Sequence, residues 1–121
     1  MTITRFNPTP RWSDATLFNG IAHFVEVPTD TSVIVEQQIA QLLSQAEQTL
    51  AAIGSDKSQL LSATIYITQL EYIEALNAAW EAWLPVAAAP SRACVKVELV
   101  DPAMKVEIAF VAAIQQGSSG D

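Results

Sequence analysis

Apolar and polar side chains alternate through APSRACVKVELVDPAMKVEIAFVAA, residues Ala89 to Ala113. A period of two belongs to a β-strand with one buried face. A turn around Asp101 to Ala103 divides the stretch into two strands, which the pattern predicts to be a hairpin. On the first strand Ala93, Val95, Val97 and Leu99 share the apolar face, expected to meet helices. On the second, Val106, Ile108, Phe110 and Ala112 do the same. Arg92, Cys94, Lys96 and Glu98 then lie on the opposite face, together with Lys105, Glu107, Ala109 and Val111. Arg92 and Glu107 are thus expected to point away from the helices, on a face whose mixed character fits contact with another subunit better than bulk water. With Glu107 opposite Glu98, six residues of strand separate it from Arg92, about 20 Å. One chain cannot close both groups on one small ligand, whereas two neighbours in a ring can.

The remainder supplies the rest of a sheet and two helices. In ATLFNGIAHFVEVP, Asn19-Gly20 separates two short apolar runs, as a two-residue hairpin turn requires. From about Thr31 to Ile53, Ile39, Leu42, Leu43, Ala46, Leu50 and Ile53 recur at helical spacing, and Gly54 stands where a C-terminal cap belongs. LLSATIYITQL reads as a buried strand. A second helix is expected from about Glu71 to Leu84, with Tyr72, Ile73, Leu76, Trp80, Trp83 and Leu84 on one face and Pro85 and Pro90 beyond it. The fold class is therefore α+β, a mixed sheet with both helices packed on one face.

A length of 121 residues suits one domain, expected over 1–114 with a loose polar tail at 115–121. The net charge is −7, and the six Lys and Arg are scattered. A phosphate backbone would be repelled, so nucleic acid is not an expected partner. The sequence contains no run of about 18 apolar residues, so no membrane span is expected. The start, MTITRFNPTP, lacks a signal pattern, and one cysteine fits a reducing compartment; a cytoplasmic protein is expected. His23 and Cys94, each the only residue of its kind, cannot supply a zinc set, so neither a metal nor another cofactor is expected.

PSRACVKVELVDPAMKVEIAFVAA resembles the C-terminal signature of the Rid (YjgF) family, with its Pro-x-Arg-x-Cys-Val and Val-Glu-Ile-x-x-x-Ala segments. The resemblance extends over nearly the whole chain, including the helix carrying Asn77, Trp80 and Trp83. It implies a chorismate-mutase-like fold and a homotrimer with clefts between subunits. It also implies hydrolysis of reactive enamines and imines, such as 2-aminoacrylate, to 2-oxo acids and ammonia. In that family the motif arginine, here Arg92, holds the substrate carboxylate. The glutamate, here Glu107, positions or protonates through the attacking water. Cys94 would line the pocket, and Asn77 matches the family's helix asparagine. Two positions depart from the pattern. Trp12 stands where active members carry a tyrosine, and Val25-Glu26 stands where they carry Ser-Gly.

Those residue types suit the chemistry. Guanidinium grips a carboxylate with two parallel hydrogen bonds. A partly buried glutamate serves acid–base work worth about 10²–10⁴-fold. Pattern alone also allows plainer roles: an ion-pair partner for Arg92, a solvated Glu107, a core thiol for Cys94, a structural amide for Asn77, a plug for Trp12 and a structural His23. Two functions follow as alternatives. One is an enamine/imine deaminase. The other, which Val25-Glu26 favours, is a trimeric module binding small 2-oxo acids without turnover. A ribonuclease or translation inhibitor is disfavoured by the acidity and the lack of a basic stripe.

Overall fold

The computed structural model describes residues 2–115; most of the tail expected at 115–121 lies outside them. Six strands form one sheet: β1 (Thr4–Phe6), β2 (Ala15–Phe18), β3 (Ile21–Glu26), β4 (Leu60–Ile67), β5 (Ser91–Lys96) and β6 (Val106–Ala113). Their order across the sheet is β1-β2-β3-β6-β4-β5. Two helices, α1 (Val35–Ala52) and α2 (Ile73–Trp83), complete the α+β architecture.

Local chemistry accounts for the boundaries. Asn19 and Gly20 take φ of 57° and 81°, the left-handed pair that a tight hairpin turn between β2 and β3 demands. Helix α1 is terminated by Gly54, two residues past its last turn at φ 82°, and the amide of Ser55 reaches back to the carbonyl of Leu50 at 2.8 Å. It begins four residues later than the periodicity predicts. The carbonyls of Thr31 and Val33 bond instead to Nε2 of Gln38, both at 3.2 Å, which holds that segment out of the helix. A short 3-10 turn over Leu70–Tyr72 precedes α2.

The core lies between the sheet and the helices. All six apolar residues expected on the inner face of α1 are buried, as are Leu76 and Trp80 of α2, while Ile73 is exposed. Phe24 and Phe110 stack with centroids 4.9 Å apart, and Trp80 lies parallel to Phe110 at 6.4 Å.

The predicted hairpin is overturned. β5 and β6 are not partners; β4 lies between them, parallel to β5 and antiparallel to β6. Leu60–Ile67 is apolar at most positions, the composition of a strand paired on both sides. The passage from β4 through α2 to β5 is a β-α-β crossover, which yields parallel strands. This pairing also reverses the faces expected of β5. Arg92, Cys94 and Lys96 align with Ala63, Ile65 and Ile67, which are buried beneath the helices. Ala93 and Val95 face the helix-free side beside Thr64 and Tyr66. The inner face expected of β6 is as predicted, with Val106, Ile108, Phe110 and Ala112 buried.

Candidate functional site

Arg92 sits on the edge strand β5 with its guanidinium over α2. Its Nη2 donates to Oδ1 of Asn77 at 2.7 Å, and its guanidinium carbon lies 6.0 Å from the Trp80 ring centroid. Asn77 and Trp80 are three residues apart, so one helical face presents both. The amide fixes the end of the side chain while the indole supports it. One of five guanidinium N–H donors is used in this contact, and the side chain is exposed. Cys94, two residues along, is half-buried against the core and is a free thiol. Arg92, Asn77 and Cys94 form one cluster at the β5 edge.

Glu107 occupies the other side of the sheet. It pairs with Tyr66, which pairs in turn with Val95. Arg92 shares its row with Ala63 and Phe110, three residues away along the strands. An odd offset puts the two side chains on opposite faces, contrary to the shared face expected from the sequence. The separation along the strand is about 10 Å rather than 20 Å, with two strand spacings across the sheet.

The remaining three candidates form a second cluster, around a recess of about 480 Å³ beyond the end of β3. Trp12, Val25 and Glu26 line it with Asp14, Val27 and Gln45. Trp12 is held out by a closed loop. Its backbone amide donates to Oγ1 of Thr9 at 3.0 Å, and its carbonyl accepts the amide of Thr9 at 2.6 Å. The indole is 63% exposed, so it is displayed rather than buried as a plug.

Glu26 points to the helix side. Oε2 accepts from Oγ1 of Thr49 at 2.6 Å and Oε1 from Nε2 of Gln45 at 3.4 Å. Thr49 and Gln45 are one turn apart on α1, a spacing that could have marked them as partners for a strand residue. Burial raises the Glu26 pKa above the usual carboxylate value, opposed by the bonds from Thr49 and Gln45 and assisted by the nearby Asp14 carboxylate. Position relative to Ser-Gly in the sequence motif singled out Glu26, whereas its three neighbours carried no such signal.

His23 is exposed on the helix-free face, where it pairs with Thr16 and Val111. Among the described residues, no group of three or more His, Cys, Asp or Glu could hold a metal ion. No described helix is long and apolar enough to cross a membrane.

Known proteins are similar to this chain over nearly its whole length. The family model described as Endoribonuclease L-PSP matches residues 2–114. A RutC family protein of Haemophilus ducreyi is 42% identical over 113 residues, covering 93% of this chain and 97% of that protein. A RutC family protein of Escherichia coli is 38% identical over 114 residues, covering 94% of this chain and all of that protein (100%). The crystal structure of a member of the YjgF protein family from Neisseria meningitidis superposes with a TM-score of 0.91 at 35% identity, covering 97% of this chain and 98% of that one.

Proposed function

The chain belongs to the Rid family, the group that also carries the names YjgF and RutC, and from that membership we propose that it hydrolyses reactive enamines and imines of the 2-aminoacrylate type to 2-oxo acids and ammonia. The observation that carries this reading is the Arg92 guanidinium, fixed by Asn77 at 2.7 Å and supported by Trp80. An exposed, pre-oriented guanidinium accepts a carboxylate with little loss of side-chain freedom.

The reaction asks for little else. The enamine takes a proton at its methylene carbon and becomes the imine. Water adds to the imine carbon, a proton moves to nitrogen, and the carbon–nitrogen bond breaks to release ammonia and the ketone. Arg92 holds the carboxylate and withdraws electron density beside the reacting carbon. Glu107 aims the water and carries the proton. Cys94 and Asn77 shape the pocket on the Arg92 side, and Trp12, Val25 and Glu26 close it from elsewhere.

Because these groups lie on opposite faces and at separate ends of one sheet, the reading requires subunits to share a site. A homotrimer with three clefts would bring the recess or the Glu107 face of one chain to the Arg92 edge of the next. The helix-free face suits such burial: Val25 is 53% exposed and Val95 41% exposed. A cytoplasmic setting belongs to the same proposal, since Cys94 is a free thiol. The ribonuclease activity in the family model's description finds no support in a chain of net charge −7.

A second reading, a trimer that binds 2-oxo acids without turnover, draws on Val25-Glu26. A branched side chain and a carboxylate with raised pKa are a poor substitute for a small hydrogen-bonding floor. The two readings separate when a dehydratase generates 2-aminoacrylate in situ and imine decay is followed with and without the protein. Acceleration that disappears in Arg92→Ala and Glu107→Ala, each verified as an oligomer, is the expected result. An intact trimer without acceleration would transfer the assignment to the binding module.

A further inference from the structure

Arg92 accounts for one end of a substrate; the other end has no assigned partner. The Trp12 recess has the composition to receive it. One wall is the exposed indole of Trp12 with Val25 and Val27, and the polar end is Glu26 with Asp14 beside it. Among the described residues, no lysine or arginine lines the recess. Thr49 and Gln45 fix the orientation of the Glu26 carboxylate. Asp14 is fixed in its turn by Nδ2 of Asn7 at 2.9 Å.

We infer that this recess is a side-chain subsite selecting 2-imino or 2-oxo acids whose side chain ends in an amine or guanidinium. The methylenes of such a chain would lie along the valines, and the cation would meet the indole face and the oriented carboxylate together. Cation–π contact and a charge-assisted hydrogen bond both favour that group. An anionic side chain would face two carboxylates, and an apolar one would strip water from Glu26 without replacing its partner. Half-buried and beside another anion, Glu26 has its charged form disfavoured in the free protein, and a bound cation would relieve that cost. The inference rests on the proposed reading of Arg92 as the carboxylate anchor of a shared site.

The test uses an amino-acid oxidase to generate imines in situ from arginine and from citrulline, which differ in a guanidinium against a neutral ureido group of nearly equal size. The wild-type oligomer is expected to hydrolyse the guanidinium imine with a kcat/KM about ten-fold or more above that of the ureido imine. Glu26→Gln, which keeps the acceptor and removes the charge, is expected to bring the ratio close to one. Trp12→Leu, in an exposed loop, is expected to lower it in part. A wild-type ratio near one, or a ratio untouched by Glu26→Gln, overturns the inference. If neither these imines nor 2-aminoacrylate are accelerated, the deaminase reading fails separately. Calorimetry with the two corresponding 2-oxo acids then decides the subsite by the same ratio, taken from Kd values.

Discussion

Replacing Arg92 by lysine keeps a positive charge but removes the planar fork and its contact geometry with Asn77 and Trp80. On the proposed mechanism, kcat/KM for 2-aminoacrylate falls on the order of 100-fold in Arg92→Lys, with secondary structure by circular dichroism unchanged. A loss of less than a few-fold would remove Arg92 from the anchoring role. Glu26 supports a different measurement. Its folded pKa lies above the unfolded value of about 4.5, so the folded chain binds more protons between those two values. Stability from this group is fully present below the unfolded pKa and declines as pH rises through the folded one. Glu26→Gln is therefore expected to raise Tm at pH 7 relative to wild type, with the gain shrinking toward pH 4; a gain constant across that range would contradict the assignment. Arg92, Asn77 and Glu26 were all legible as candidates from motif positions. The 2.7 Å contact between Arg92 and Asn77 was not, because a strand's facing follows from its pairing partner and periodicity does not name one.

Between elements, Gln38 carries more than its place in α1 suggests. Among the described residues it is the one buried polar side chain, and its amide reaches three carbonyls, those of Thr31, Val33 and Ala103, at 3.1–3.2 Å. Its own oxygen accepts the amide of Lys105 at 2.8 Å. One side chain thus ties the entry to α1 to the loop that delivers β6. Gln38→Leu fills similar space but strands these backbone groups, and a loss of about 2–4 kcal/mol is expected from chemical denaturation. A loss below 1 kcal/mol would show that water replaces the amide. In sequence Gln38 is one of several glutamines in a polar helical stretch and carries no mark of burial. The C-terminal ends of both helices, the Asn19-Gly20 turn and the inner face of β6 were readable because each depends on residues near in the chain, whereas the start of α1 was set by the Gln38 amide and was read four residues early. The position of β5 was not: two alternating segments around a turn describe a hairpin and a split pair equally well, and only the demand of β4 for partners on both sides decides.

For the whole molecule, the proposed trimer predicts a mass by light scattering of three times the 13.1 kDa chain. Val95, on the helix-free face of β5 and 41% exposed, should lie in the contact. Val95→Asp is expected to release folded monomers and abolish turnover together, since a divided site cannot work in one chain. A wild-type protein monomeric at micromolar concentration would exclude the shared site. The sheet order has a consequence for how the chain comes into being. β3 and β4 do not pair with each other; β6, the final strand, joins them. During synthesis the β1-β2-β3 meander and the β4-α2-β5 unit leave the ribosome before the strand that unites them, each with an open edge. The two halves of the molecule therefore become one sheet only when residues 106–113 have emerged and paired with both β3 and β4.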